Sequence, residues 1–246
     1  MSLPVHLVPS LDGVRVGSSV TVEGDEAHHA VAVRRLRVGE SVVLTDGHGT
    51  SVVAEVATTG KRVFSVTVAS VGSAPAPTPD VTVVQALPKG DRGELAVEVL
   101  TEIGVARIVP WAASRSVAVW KGDRAEKSLA RWRSTAREAA KQARRSWFPE
   151  VEPLASTADV AGLVAAAPLA VVLHEAATVP LASLEVPAEG PVLVVVGPEG
   201  GLADDEVAAF VAAGATSVRL GAEVLRTSTA GLAAVSALLA RTPRWA

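Results

Sequence analysis

The sequence predicts an α/β protein in which an open, mostly parallel β-sheet is preceded by a small β-barrel. Three observations lead to this fold class. From Val81 onward, strand-like apolar runs alternate with helix-like segments, as in parallel sheets that helices cover on both faces. Residues 1–70 instead carry short strand-like runs separated by Gly, Asp and Ser, a pattern typical of small barrels. Between them, alternating prolines favour a stiff, extended connection.

Residues 1–72 are predicted to form the barrel domain, with residues 73–80 as a proline-rich linker. Alternating polar and apolar residues indicate half-buried strands. An Asp-Gly-His-Gly segment at 46–49 has the composition of a hairpin turn. Strands are therefore expected over residues 14–16, 19–22, 40–44, 50–56 and 62–71, and a short helix over 25–35.

Residues 81–246 are predicted to form the second domain, which contains the parallel sheet. Gly104 is expected to end its first helix, because glycine readily adopts the left-handed conformation found after helices. Strands are expected over residues 81–87, 107–110, 170–173, 192–196 and 217–220, and helices over 93–103, 127–145, 204–213 and 229–240.

The composition excludes several classes of protein. Of the 246 residues, 49% are hydrophobic and 20% are charged, a balance that argues against disorder. The chain has no cysteine, which excludes disulfides, thiolate metal sites and cysteine nucleophiles. No run of about 18 uncharged apolar residues predicts a membrane span, and the first residues do not resemble a signal peptide. A cytoplasmic protein is expected.

The charge is distributed unevenly along the chain, although the net charge is only −3. Residues 89–145 contain thirteen Lys and Arg against seven Asp and Glu, a net charge of +6. The flanking segments, 1–88 and 146–246, carry −2 and −7. A basic block in an acidic protein is compatible with a polyanion-binding face, although a charge run by itself more often indicates an ordinary solvated helix surface.

A glycine-containing turn, residues 197–201, follows the apolar strand 192–196. Pro198 suits the second position of a turn, and paired glycines allow a ligand to approach the backbone. The acidic residues at 204–206 would occupy the start of the next helix, where they disfavour a phosphate. The segment also lacks the P-loop and dinucleotide-binding patterns. It is interpreted as a plain turn or as a site for a ligand without phosphates.

A second strand-to-helix connection runs from Leu220 to Ala230. Thr227 or Ser228 is expected to cap the helix that follows. Capping does not require the neighbouring Arg226, which is interpreted either as a functional cation or as an ion-pair partner of Glu223 or Glu199. A third strand ends at Leu173, His174 and Glu175, where no ligand spacing indicates a metal site.

Taken together, these motifs resemble the ribosomal RNA small subunit methyltransferase E family of the knotted SPOUT class. The resemblance spans nearly the whole chain, and its central part includes Lys89, Arg115-Ser116 and Gln142-x-x-Arg145. The remaining matching segments are His28-His29-x-x-x-Val33-x-Arg35, Glu102-x-Gly104, Ile108-x-Pro110, Gly197-Pro198-Glu199-Gly200-Gly201, Leu220-Gly221 and Leu225-Arg226-Thr227-x-Thr229-Ala230. The chain departs from the family at Ser228 and Lys141, where the family commonly has Glu, and at Ala203, which replaces a hydroxyl cap.

The resemblance implies a SPOUT-type sheet with a C-terminal trefoil knot, a PUA-like barrel and a homodimer. It also implies S-adenosylmethionine as the cofactor, and methylation of N3 of a uridine in 16S rRNA of the small ribosomal subunit. Three loops would bind the cofactor through Leu173, His174, Glu175, Gly197, Pro198, Glu199, Gly200, Gly201, Leu220, Gly221, Val224, Leu225, Thr227, Thr229 and Ala230.

Arg226, followed by Arg145, is the candidate for stabilising the uridine anion, and no metal is expected. Lys141 would add positive charge on the RNA side, and Trp132 and Trp147 are candidates for base stacking. RNA phosphates would contact Arg34, Arg35, Arg37, Lys89 and Arg144. Two alternatives remain: a SPOUT tRNA ribose 2′-O-methyltransferase, and a non-catalytic RNA-binding assembly factor.

Overall fold

The structure, a computed structural model, describes residues 3–245 and divides into two compact units. The first unit comprises the chain up to Ala76 together with Lys141–Phe148. The second comprises Pro77–Ala140 and the chain from Pro149 onward. Among the described residues, no helix has both the length and the apolar character that a membrane crossing requires.

The first unit is built on a five-stranded sheet. Its strands lie in the order β1, β3, β4, β5, β2, and β1 pairs with β3 in parallel whereas the other pairs are antiparallel. Alternate residues such as Val42, Leu44 and Phe64 point into its core. The elements are β1 (Val5–Leu7), β2 (Ser19–Glu23), α1 (Gly24–His28) with a π-helical turn (His29–Val33), β3 (Ser41–Thr45), β4 (Thr50–Thr59) and β5 (Val63–Ser73).

Two expectations for the first unit need correction. The strand expected at 14–16 is absent, because Gly13 and Gly17 adopt φ of 71° and 85° and turn the backbone on either side of it. The helix expected at 25–35 is present, but its second half winds as a π-helix. Strand β1 was missed, since three residues give too short an alternation and its partner is about 40 residues away.

The second unit is a seven-stranded sheet in which every pair is parallel, which confirms the predicted α/β class. The strands lie in the order β10, β12, β9, β11, β6, β7, β8. The elements are β6 (Asp80–Ala86), α2 (Arg92–Glu102), β7 (Arg107–Trp111), α3 (Asp123–Gln142), β8 (Glu150–Val151), α4 (Thr157–Ala166), β9 (Leu169–Leu173), β10 (Val179–Pro180) with a 3₁₀ turn (Leu181–Ser183), β11 (Pro191–Val196), α5 (Asp204–Ala212), β12 (Thr216–Arg219) and α6 (Thr227–Leu239).

Helices cover both faces of this sheet. On one face, Val83 and Val194 pack with Leu100 of α2 and Val235 of α6. On the other face, Val195 packs with Phe210 of α5. A Cβ atom at Gly231 of α6 would lie 3.2 Å from Leu100 Cδ2 and 3.3 Å from Val196 Cγ2. The helix therefore approaches the sheet closely at a glycine.

Two helices of the second unit differ from the sequence expectations. Helix α4 was missed, although Ser156 and Asp159 form a capping box at its start. Helix α3 begins and ends earlier than expected. It ends at Gln142, two residues before Arg144, whose φ of 53° is incompatible with a continuing helix.

A buried polar cluster lies inside the first unit. The Nζ of Lys141 lies 3.2 and 3.1 Å from the two carboxylate oxygens of Glu26, and His6 Nδ1 lies 3.1 Å from Oε1. Lys141 is only 9% exposed. The expectation that Lys141 adds charge to an RNA-binding face is therefore wrong, because Glu26 neutralises it inside the protein.

Replacing Glu26 with Gln is expected to lower the free energy of unfolding at neutral pH by about 3 kcal/mol, because Lys141 would keep a buried charge without its partner. Burial alone raises the pKa of Glu26, but the hydrogen bond from His6 and the charge and hydrogen bond of Lys141 bring the net pKa below its ordinary value. The ionised carboxylate therefore stabilises the fold above its unfolded-state pKa, and this contribution disappears as pH falls through the folded-state pKa.

Denaturant unfolding between neutral pH and pH 3 measures both effects. The variant should lose less stability on acidification than the parent. Asp25→Asn is the matched control, because the Asp25 side chain is 98% exposed in its pair with Arg62. Equal acid sensitivity of the parent and Glu26→Gln would contradict the role given to this cluster.

Candidate functional site

Three loops meet at the carboxyl edge of the parallel sheet. They follow β9, β11 and β12, which are adjacent strands in the sheet. Because parallel strands end at the same edge, the loops come together there and line a cleft of about 630 Å³. This volume lies within the range of small-molecule sites.

The cleft brings together most of the residues predicted to bind a cofactor. Thr229 does not line it. Its hydroxyl instead donates a hydrogen bond to the Arg226 carbonyl at 3.3 Å. The predicted residues that do line the cleft are Leu173, His174, Glu175, Gly197, Pro198, Glu199, Gly200, Gly201, Leu220, Gly221, Val224, Leu225, Arg226, Thr227 and Ala230.

Glycines in the loop after β11 are required by contacts within the protein. A Cβ at Gly200 would lie 3.0 Å from the Arg115 carbonyl oxygen, and one at Gly197 would lie 2.9 Å from Leu202 Cγ. A ligand was expected beside Gly200, but the Arg115 backbone lies there. Gly221 in the third loop is different, since the nearest atom to its Cβ position is Glu223 Oε2 at 3.7 Å. Open space for a ligand lies at Gly221.

Glu199 connects two loops of the site. Its Oε1 accepts a hydrogen bond from the Lys89 N–H at 3.1 Å and lies 3.8 Å from Arg92 Nη1. Both partners lie where the chain enters α2. The carboxylate therefore holds the loop after β6 against the loop after β11.

The start of α5 is acidic, as expected, and it has an unusual cap. Ala203 occupies the N-cap, and Glu206 accepts a hydrogen bond from its N–H at 3.0 Å. The second oxygen of Glu206 accepts a hydrogen bond from the Ser114 N–H at 2.8 Å. Glu206 thus replaces the missing hydroxyl cap. Asp204 lines the cleft beside this helix start, which disfavours a phosphate there.

The third loop offers backbone donors. Residues 221–226 are exposed, and among residues 3–245 no protein acceptor is bonded to their N–H groups. The expected hydroxyl cap of α6 is wrong, because Arg226 is the N-cap residue and makes no side-chain cap. Thr227 and Ser228 are instead buried in the first turn. Thr227 lines the cleft, whereas Ser228 does not.

Arg226 is an exposed cation at the edge of the cleft. An ion pair of Arg226 with Glu223 or Glu199 was one possibility, but neither pair forms. Within residues 3–245, the Arg226 guanidinium has no ion-pair partner. Its backbone carbonyl accepts hydrogen bonds from Thr229 and Ala230, both at 2.9 Å. The first turn of α6 therefore fixes the backbone of Arg226, while its charge is available to a ligand.

Sequence reasoning missed three other arginines that line the cleft: Arg92, Arg115 and Arg219. Arg115 lies in one of the motifs quoted above, and its Nη1 donates a hydrogen bond to the Leu202 carbonyl at 3.0 Å. Arg219 ends β12, a position that could have indicated its location. With Arg226 they balance the four acidic residues of the cleft, Glu175, Glu199, Asp204 and Glu223.

The other predicted residues lie outside the cleft lining. Arg34, Arg35 and Arg37 are exposed in the first unit. Arg144 and Arg145 lie in the 141–148 segment of that unit. Lys89 contributes its N–H to Glu199. The described residues 3–245 contain no cluster of three or more His, Asp or Glu side chains that could hold a metal ion.

The two tryptophans that were candidates for base stacking lie in different environments. Trp132 is only 3% exposed, and its ring packs edge-to-face on Trp120 at a centroid distance of 5.1 Å. It cannot stack on an RNA base. Trp147 is half-buried, and its indole N–H donates to the Ala74 carbonyl at 2.9 Å.

Comparisons with known proteins identify the family. A family model described as an RNA methyltransferase domain matches residues 74–239, and one described as an RNA methyltransferase PUA domain matches residues 22–68. The chain is similar to Ribosomal RNA small subunit methyltransferase E of Mycobacterium bovis, with 46% identity over 93% of this chain and 89% of that protein. The protein of the same name from Bacillus subtilis is 31% identical over 89% of this chain and 88% of its own length.

Solved structures agree with this assignment. Ribosomal RNA small subunit methyltransferase E from Neisseria gonorrhoeae, bound to S-adenosyl methionine, superposes with a TM-score of 0.86 at 27% identity, covering 97% of this chain and 98% of that one. A methyltransferase structure from Legionella pneumophila in complex with SAM gives a TM-score of 0.89 at 26% identity, covering 98% and 99%. The chain therefore belongs to the ribosomal RNA small subunit methyltransferase E family.

Proposed function

We propose that this protein is an S-adenosylmethionine-dependent methyltransferase that modifies N3 of a uridine in 16S rRNA of the small ribosomal subunit. The observation that carries the proposal is the cleft at the carboxyl edge of the sheet, which combines exposed backbone donors with an unpaired Arg226. Family membership and two related structures that hold the cofactor support it. The protein would act in the cytoplasm, where ribosomal subunits are assembled.

The residues of the cleft fit the cofactor. The acidic start of α5 disfavours a phosphate, and S-adenosylmethionine has none. The N–H groups of residues 221–226 can bind its polar groups, and Val224 and Leu225, 76% and 41% exposed, offer apolar contact. When bound, the cofactor supplies an electrophilic methyl group on its sulfonium sulfur.

Arg226 is proposed to stabilise the anionic uracil. Uridine N3 becomes a good nucleophile only when its proton leaves, and the resulting charge spreads over O2 and O4. A preorganised cation lowers the free energy of the uracil anion. This effect is largest when no protein carboxylate already neutralises the cation. Glu199 is less suited to accept the proton, since its Oε1 already binds the Lys89 N–H and faces Arg92. Arg145 remains the second candidate for the cation.

The finer features of the fold belong to the same proposal. The five-stranded sheet of residues 1–72 would belong to a PUA-like barrel, and residues 81–246 would form a SPOUT domain. Helix α6 follows β12 but packs on β11 and β6, beyond β9. The trefoil knot of the SPOUT class is inferred from family membership. We also infer a homodimer, in common with that class.

Methyl transfer to three RNA substrates tests the class of substrate. Small ribosomal subunits that lack the modification should accept labelled methyl groups, and naked 16S rRNA and tRNA should accept fewer. Preferential transfer to tRNA would favour a tRNA enzyme instead. Tight cofactor binding without transfer to any RNA would indicate an assembly factor.

A further inference from the structure

A loop outside the three cofactor loops forms part of the wall of the cleft. It connects β7 to α3 and spans residues 112–122. Strand β7 lies beside β6, which pairs with β11, so this loop leaves the same carboxyl edge as the loop at 197–201. Arg115 of this loop lines the cleft.

The first half of the loop is fixed to the cofactor side of the cleft. The Ser114 N–H donates to Glu206 at 2.8 Å, and Arg115 Nη1 donates to the Leu202 carbonyl at 3.0 Å. The Arg115 carbonyl also lies against Gly200. These contacts hold the Arg115 guanidinium at the rim while leaving its other N–H groups to bind a ligand.

The second half presents two apolar side chains to solvent. Ala118 and Trp120 pack against the core of the second unit, and Trp120 meets Trp132 edge-to-face at 5.1 Å. The alternating residues Val117 and Val119 are 61% and 62% exposed. Because the segment is anchored at both ends and at every second residue, it displays the two valines on a fixed surface.

Cations lie on both sides of these valines. Arg115 precedes them and Lys121 follows them, and both are exposed. Within residues 3–245, Lys121 has no ion-pair partner. An apolar surface between two cations suits a single-stranded nucleic acid, which offers base faces and phosphates together.

We propose that residues 112–122 form the RNA-contacting wall of the site, in which Arg115 binds a phosphate next to the target nucleotide and Val117 and Val119 contact a neighbouring base. This inference rests on the proposed function and names the surface that receives the RNA. The loop continues the wall of the cleft in which the target base must lie, so its ligand is the rest of that RNA. A second copy of the chain is a poorer fit, because lysine is depleted from protein interfaces and two valines bury little area.

Two variants test the proposal in the full-length protein. Val117→Ser combined with Val119→Ser should weaken binding to unmodified small subunits about tenfold. Arg115→Gln should also weaken binding to the subunits. It should make the slope of log affinity against log salt concentration shallower by about 0.7 to 0.9, which is the contribution of one phosphate contact. Affinity for S-adenosylmethionine, measured by calorimetry, should stay at the parent value for the valine variant.

Matched controls lie elsewhere in the same unit. Val211→Ser removes an exposed valine of α5, and Arg107→Gln removes a cation at the opposite end of β7; both should bind subunits normally. The proposal fails if the loop variants bind subunits as well as these controls, or if the valine variant loses cofactor affinity. A changed oligomeric state by light scattering would assign the loop to a second copy and overturn it too. If the parent methylates no ribosomal subunit, the proposed function itself fails.

Discussion

Replacing Arg226 with Ala is expected to slow methyl transfer about 10²–10³-fold, while binding of RNA and cofactor changes little. The reason is that its guanidinium is unpaired within residues 3–245 and lies at the rim of the cleft. Loss of one preorganised charge that acts on the anionic uracil costs about this much in rate. Arg226→Lys should recover only part of it, because an ammonium cannot reproduce the planar fork. The defect should ease at higher pH, where more of the uridine is already ionised.

Single-turnover rates at saturating cofactor and ribosomal subunits measure this effect separately from binding. Arg219→Ala is the control, since Arg219 also lines the cleft and is exposed, and its rate should stay within a few-fold of the parent. If the Arg226→Ala variant reaches the parent rate at saturating cofactor and subunits, Arg226 is a binding residue. A larger rate loss in Arg219→Ala than in Arg226→Ala would show that Arg219, and not Arg226, supplies the catalytic charge.

Replacing Gly221 with Val is expected to weaken S-adenosylmethionine binding at least about 100-fold without unfolding the protein. The Cβ position of Gly221 meets only Glu223 Oε2, at 3.7 Å, so the branched side chain would enter the cleft and not the protein core. There it would occupy the volume of ligand atoms, and a ligand cannot bind where its atoms overlap with a side chain. Calorimetric titration and thermal unfolding of the free protein measure the two parts of this prediction.

Gly162→Val is the matched control, because Gly162 lies exposed in α4 and, apart from its chain neighbours and the backbone of its own helix, no atom lies within 4 Å of its Cβ position. Gly200→Val is a poor test of the same idea. Its side chain would strike the Arg115 carbonyl at 3.0 Å and displace the loop. Normal cofactor affinity in Gly221→Val would move the cofactor away from the loop after β12.

The sequence predicted the central strands of the parallel sheet because they are apolar runs bounded by turn residues such as glycine and proline. Strand β11, Pro191–Val196, is of this kind. The strands that were missed are held by partners distant in sequence. Strand β10 has two residues and exists through its pairing with Val218 and Arg219 of β12. Such pairings leave no periodic signal in the strand itself.

For the candidate site too, local patterns could be predicted and contacts between distant residues could not. The positions of the three loops could be predicted, because glycines mark strand ends and strand ends of a parallel sheet share an edge. The partners of individual side chains could not. Lys141 was expected on an RNA-binding face, but Glu26, 115 residues away in sequence, buries and neutralises it. Gly200 was expected beside a ligand, but the Arg115 backbone lies there.

The position of the transferred methyl group on the RNA shows whether the protein methylates N3 of a uridine. The protein would be incubated with labelled S-adenosylmethionine and small ribosomal subunits that lack the modification. The 16S rRNA would then be digested to nucleosides and separated by chromatography with mass detection. We expect one labelled product, 3-methyluridine, and its loss in the Arg226→Ala and Gly221→Val variants. Label in a 2′-O-methylated nucleoside, or in a uridine methylated on carbon, would contradict it.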